Sequence, residues 1–328
     1  FITSPLQSKF GGASGLFATK PELDYMEYTS DANAQATYVT NGTEAVDQQQ
    51  TTGDFGIVLG DNGTEYKQAE SFQLSTRLEV TAVEVARYAT TAGTPTGNWT
   101  LRIETDNAGV PSGTLADTNA SIVVTPPAEG AVIKGTFATS FILNASTVYH
   151  LVILCDDQAT NVYWTIKATT GEYEAGHRSH RADGTWVQVA TYDLYFKIYV
   201  KSLQSYSEAT IKNQGSYSLR GAASITNSLS NTLIRTTTSP TLNLIGQDEV
   251  EFDIYASRTG SNIRIGLRNT GAALTTFETA PFVNSANTWE TKTWNISGVV
   301  NTSKNSIDQI IFTIIDATTG NNFYIDNM

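Results

Sequence analysis

From Asp54 onward the chain is a succession of short segments in which apolar and polar positions alternate, separated by clusters of Gly, Pro, Asn, Asp and Ser. Trp99, Leu101 and Ile103 alternate with Thr100 and Arg102, the period of a half-buried strand. The same reading predicts strands over 78–88, 121–125, 148–154, 163–167, 185–190 and 194–200. Gly93–Gly97 and Asp106–Gly113 read as turns between them. The last third is more regular. Val250, Phe252, Ile254 and Ala256 share one face, and Glu251, Asp253 and Tyr255 share the other. Ile263, Ile265 and Leu267 alternate with Arg264 and Arg268, and Ile310, Phe312 and Ile314 form a third apolar row. Many short strands with one core face and one polar face predict an all-β protein built from sandwiches or jelly rolls.

The first fifty residues read differently. Residues 1–20 are rich in Gly, Ser and Ala and predict an extended arm or linker. Leu23–Tyr28 is a short strand candidate, and Ser30 with Asp31 predicts the cap of a short helix running to Tyr38. Asn41–Gly53 is polar and reads as a connection.

Composition narrows the function classes. The 328 residues suffice for two domains with their own cores. Charged residues make up only 16% and the formal net charge is -12. Nucleic acid is therefore an unsuitable partner, because its binding rests on Lys and Arg neutralising phosphates. A cation such as Ca²⁺ suits the balance better. Cys155 is the sole cysteine and sits in an apolar run, so no intrachain disulfide forms and the thiol reads as a small buried hydrophobe. No run of about 18 apolar residues predicts a membrane-spanning helix. A Gly-x-Ser-x-Gly elbow, a phosphate loop and a dinucleotide fingerprint are all missing from the sequence.

Two stretches carry resemblances. The opening Glu208–Arg220 and the closing Phe323–Met328 resemble the jelly-roll domains of the galactose-binding-like class, which includes many carbohydrate-binding modules. Tyr25–Tyr28 and the helix after it resemble the first strand and helix of that class, although they lie far upstream of Glu208. The region 54–201 resembles β-sandwich domains of phage structural and bacterial surface proteins, through Thr94–Ile103, Thr105–Leu115 and Asp193–Tyr199. Together these imply two β-sandwich domains, residues 54–201 being inserted into a galactose-binding-like domain made of residues 21–46 and 203–328.

The resemblance also implies a structural Ca²⁺ held by Glu27, by the Gly215–Ser218 segment through Ser216, and by Asp326 of the last strand, with Asp24 a further carboxylate nearby. From the residue patterns, a ligand face is expected over Asp253, Tyr255, Arg264 and Arg268 if their two strands pair. The competing reading of that face is cross-strand ion pairing. Trp99, Trp164 and Trp294 read as core. Trp186 lies opposite Val187 and Val189 and is the candidate exposed platform. His177-Arg-Ser-His180 is a weak metal-ligand pair, and His150 reads as a core or edge residue. The function expected is a non-catalytic extracellular structural or adhesion protein of a virion or cell surface. Its partners would be neighbouring subunits or further copies, and surface glycans. The alternative is a carbohydrate-binding module region of a secreted polysaccharide-degrading enzyme.

Overall fold

The computed structural model describes residues 22–60, 67–89, 93–156, 162–171, 173–182, 184–224, 231–236, 240–273, 275–316 and 318–328. The arm expected over residues 1–20 lies outside the described residues. As the alternation predicted, the described residues are nearly all antiparallel β, and among them there is one α-helix, Asp31–Thr37, whose N-cap Ser30 accepts a hydrogen bond from the Asn33 amide.

Two five-stranded sheets face one another across the C-terminal core. One runs in the order Tyr38–Thr40, Thr232–Thr236, Ile307–Ile314, Ile263–Asn269, Phe277–Thr279. The other runs Leu203–Glu208, Ser218–Ala223, Asn321–Asp326, Glu249–Ala256, Glu290–Asn295. Between them Phe252, Ile254, Ile265, Leu267, Ile310, Phe312 and Phe323 are buried. The same core contains Leu23, Met26, Ala34 and Tyr38 from the beginning of the chain.

A second core forms between a seven-stranded sheet and two smaller ones. The large sheet includes Arg178–Ala182, Lys67–Phe72, Tyr149–Cys155 and Trp99–Asn107 in that order. Leu78–Ala86 and Phe196–Lys201 belong to the facing four-stranded sheet, and Trp164–Thr170 to a three-stranded one. Trp99, Leu101, Ile103, Leu151 and Ile153 fill it as their alternation predicted, with Trp164 edge-on to Trp99 at 6.1 Å. Cys155 is buried there.

Several segments depart from the sequence reading. Leu23–Tyr28 is not a strand: Met26 has φ +56, and the Leu23 and Asp24 amides both donate to the carbonyl of Met328. Asp24 organises the turn. Its carboxylate accepts from the Met26 amide and from the Tyr28 and Tyr38 hydroxyls, and pairs with Arg235 at 2.8 Å. The polar stretch Glu44–Gln50 is a strand paired with Phe196–Lys201, and Arg178–Ala182 is a strand rather than a loop. Both lack the apolar alternation that marks a strand because a neighbouring strand, not an apolar face, satisfies them. Val132–Leu143, also unforeseen, is a twelve-residue strand whose register slips opposite Val80–Ala82, which breaks its period.

We propose from the shared core of residues 23–38 and 203–328 that residues 54–201 are an insertion. A fragment of 203–328 alone then lacks Tyr38 and its neighbours and is expected to melt far below the full chain, while joining residues 22–41 to it restores a cooperative transition. A fragment 203–328 as stable as the full chain overturns the insertion.

Candidate functional site

The sheet Leu203–Glu208 to Glu290–Asn295 has two differently used faces. Val250, Phe252, Ile254, Leu219, Phe323 and Ile325 point into the C-terminal core. Alternation turns Tyr206, Arg220, Tyr324 and Tyr255 to the outer face. These four are consecutive register partners across four strands and so form one row.

One end of that row is covered by the other sandwich. Tyr206 and Ala222 belong to the second core. The Arg220 guanidinium donates to Thr76 Oγ1 at 2.9 Å, to the Arg77 carbonyl at 3.0 Å and to Asn322 Oδ1 at 2.9 Å. Arg77 and Arg220 both sit over the Tyr206 ring, at 5.2 and 5.1 Å from its centroid. Arg77 also pairs with Asp31 of the helix.

The other end is aromatic and open. Tyr324 meets Tyr255 edge-on at 5.2 Å, and Tyr255 meets Trp289 at 5.7 Å with 57° between the rings. Tyr255 and Trp289 are half-buried, and Thr291 and, further along the same two strands, Glu251 and Thr293 are exposed. Trp289 was missed in the sequence because it precedes the strand Glu290–Asn295 and belongs to no alternating row.

A second row on this face is acidic. Asp253 and Asp326 lie directly opposite one another and are both buried. Like charges so placed repel, and Asn213 lies between them. Its amide N–H donates to Asp326 Oδ2 at 2.8 Å and its side-chain amide to Asp253 Oδ2 at 2.8 Å. Gln214 N–H adds a bond to Asp326, and Thr291 Oγ1 donates to Asp253 Oδ1 at 2.6 Å. Burial first, and then repulsion from Glu27, push the Asp326 carboxyl above its ordinary range. Glu27 accepts from the Ser216 amide at 2.8 Å and from the Tyr217 amide. Gly215 must be glycine here: its φ is +57, and a Cβ would stand 1.5 Å from Glu27 Oε1. The structure thus brings Glu27 and Asp326 to one loop, whose amides point at them, while the Ser216 carbonyl accepts from Lys212 Nζ at 3.0 Å. No group of three or more His, Cys, Asp or Glu among the described residues is arranged to hold a metal ion. A cation at this corner would therefore draw most of its shell from backbone carbonyls.

The expected four-residue ligand face does not form. Asp253 and Tyr255 are on the outer face of one sheet, whereas Arg264 and Arg268 are on a strand of the opposite sheet. Those arginines are engaged in cross-strand ion pairs, Arg264 with Glu278 at 3.0 Å and Arg268 with Asp308 at 2.8 Å. Alternation assigns a side chain to a face of its strand but not to a sheet, and the two strands do not pair. Trp186 is on the edge strand Thr185–Val189 of the other sandwich, half-buried beside Arg181 and remote from Tyr255 in the fold. His177 is exposed just before the strand Arg178–Ala182, and His180 is half-buried within it.

His150 is wholly buried, with Nε2 at 2.8 Å from Asp106 Oδ1. Burial outweighs the nearby Asp106 and Glu104 and lowers its pKa.

No protein-family model matches the chain, and no curated protein matches it. Among solved structures it is similar to a fucolectin from striped bass serum, with 9% identity, a TM-score of 0.29 and 92% of this chain covering 99% of that one. The tandem CBM22 domains of Paenibacillus barcinonensis Xyn10C show 10% identity and a TM-score of 0.24 over 94% of this chain and 98% of theirs. A protein of infectious bursal disease virus shows 10% identity and a TM-score of 0.22 over 87% and 70%. Likeness at this level carries no argument about function, which rests on the geometry above.

The His150 environment gives a pH expectation. The unfolded chain binds a proton at His150 more readily than the folded one, so below the ordinary value of 6.5 the unfolded state gains protons and stability falls. The melting temperature is expected to drop as pH is lowered from about 7 to about 5, and His150→Gln to flatten that drop. An identical profile for the variant refutes this assignment.

Proposed function

We propose that this chain is a non-catalytic adhesion or structural module, working outside the cell or on a virion, that holds glycan on the outer face beside Tyr255 and Trp289. One observation carries the reading. Two half-buried rings stand 5.7 Å apart on a sheet face that a docked sandwich and the 209–217 loop cover in part. A sugar's apolar C–H face stacks on such rings, and its hydroxyls meet hydrogen-bonding groups of the kind that Thr291, Thr293 and Glu251 expose. Asp253 serves this face from beneath: both its oxygens are already bonded, so it fixes Thr291 and the loop rather than touching ligand. The net charge of -12 favours neutral over acidic sugars.

A glycan array followed by calorimetry on the best ligand tests this reading. Tyr255→Ala and Trp289→Ala are each expected to weaken binding about tenfold or more, as loss of a central aromatic contact does. Arg264→Ala and Trp186→Ala are expected to bind like the parent. No binding across neutral glycans, or equal affinity in all four variants, rejects the site.

A structural Ca²⁺ at Glu27, Ser216 and Asp326 is a separate proposal. Its support is the burial of Asp326 beside Glu27, with no basic side chain paired to either carboxylate among the described residues. The ion would join carboxylate oxygens to loop carbonyls. Chelator is then expected to lower the melting temperature, and Asp326→Ala to remove that sensitivity. Coincident curves with and without chelator overturn the ion.

A further inference from the structure

The aromatic surface belongs to one sandwich, yet the group at the centre of its row is held by the other. Arg220 is 4% exposed. Its terminal nitrogen has three acceptors, and two of them, Thr76 Oγ1 and the Arg77 carbonyl, come from the turn just before Leu78–Ala86 in the neighbouring sandwich. The third, Asn322 Oδ1, is itself tied to that turn, because Asn322 Nδ2 donates to Thr76 Oγ1 at 3.0 Å. If the turn shifts, a buried guanidinium and a half-buried carboxamide lose partners together. Unpaired buried donors are costly, so the side chains would follow the turn.

Arg220 has an aromatic ring on each side in the register. Tyr206, buried under the neighbouring sandwich, is its partner on one side. Tyr324 is its partner on the other. Directly opposed residues in a sheet have Cβ atoms about 5 Å apart, close enough for their side chains to interact. Tyr324 in turn holds Tyr255 edge-on, and Tyr255 holds Trp289. Contacts thus run from Thr76 to Arg220 and from Tyr324 to Trp289, and the register sets Arg220 and Tyr324 directly opposite one another.

We infer that Arg220 is a positioning residue for the aromatic surface, and that the Thr76–Arg77 turn of the neighbouring sandwich sets the angle of Tyr255 and Trp289 through it. The docked sandwich is therefore part of the binding surface without touching ligand. The consequence for affinity rests on the glycan reading above; the mechanical coupling does not.

The full-length chain labelled with 5-fluorotryptophan gives a readout that needs no ligand. It has five tryptophans and hence five fluorine resonances, with Trp289 assigned by Trp289→Phe. Thr76→Val removes the hydroxyl that joins Arg220 and Asn322, and Arg220→Lys removes the fork while keeping the charge. Both are expected to move the Trp289 resonance and leave those of Trp99 and Trp294, which are in the two cores, where they were. Thr76→Ser keeps the hydroxyl and is expected to keep the parent spectrum, which separates a lost hydrogen bond from general damage. Glycan affinity should fall about fivefold in Thr76→Val and Arg220→Lys, within the range of coupling between neighbouring residues. A Trp289 resonance unmoved in both variants overturns the inference, as does a shift of equal size in Thr76→Ser. Failure of every glycan to bind would remove the proposed function and leave the fluorine result to stand on its own.

Discussion

Everything on the candidate surface depends on one sheet being buried on both faces. Leu219, Phe323, Ile325 and Ile254 of that sheet close the C-terminal core, while Tyr206 and Ala222 close part of the other. A strand can serve two cores only if alternate residues answer to different neighbours. Tyr206 shows how the outer contact is made with few apolar groups. The guanidiniums of Arg77 and Arg220 both lie over its ring, each near 5 Å, and its burial is complete. Cation–π contacts of this kind strengthen when water is excluded. Arg77 is neutralised by Asp31, whereas Arg220 is satisfied by neutral oxygens, so it depends on the exact seating of the turn that provides them.

The same constraint sets the position of the proposed ligand surface. An outer face that is half covered leaves a step at the edge of the covering sandwich. Tyr324 sits at that step and is nearly buried, and Tyr255 and Trp289 continue from it into the open. On the far side, the loop 209–217 covers Asp253 and Asp326 and supplies the amides that make two facing carboxylates tolerable. The aromatic strip is thus bounded by a protein wall at one end and flanked along one side by an amide-lined loop. Rings held at fixed angles by neighbours lose little freedom on binding, which is the circumstance in which modest contact areas give useful affinity.

Much of the fold was legible because it follows the two-residue period. Val250–Ala256 and Ile263–Leu267 were placed correctly as half-buried strands, and so was the split of Glu251, Asp253 and Tyr255 to the other face. Sheet membership was not legible. Arg264 and Arg268 were grouped with Asp253 because both segments show the same alternation, yet the loop between them carries the chain across to the opposite sheet. Polar strands were also hidden. Lys67–Phe72 buries Gln68 and Glu70 completely, so its interior positions look like surface. Gln68 bonds the Val58 carbonyl and receives Arg178, and Glu70 receives the Leu194 amide. Burial there is decided by partners distant in sequence, which no local pattern contains.

The candidate site was half visible for the same reason. Tyr255 was found because it alternates, and Trp289 was not because its position is set by a tertiary contact with Tyr255. In the sequence Arg220 marks only the end of a stretch that resembles a known class. Its significance comes from Thr76 and Arg77, more than a hundred residues upstream. If residues 54–201 are an insertion, then a domain that closed its own core without them acquired a covering for its outer sheet face, and with it a fixed row from Tyr206 to Trp289. An insertion that merely hung from a loop would leave Arg220 in water. Arg220 is instead buried, with its hydrogen-bond partners either on the Thr76–Arg77 turn or bonded to it, so the two sandwiches are tied together at the surface where recognition is proposed.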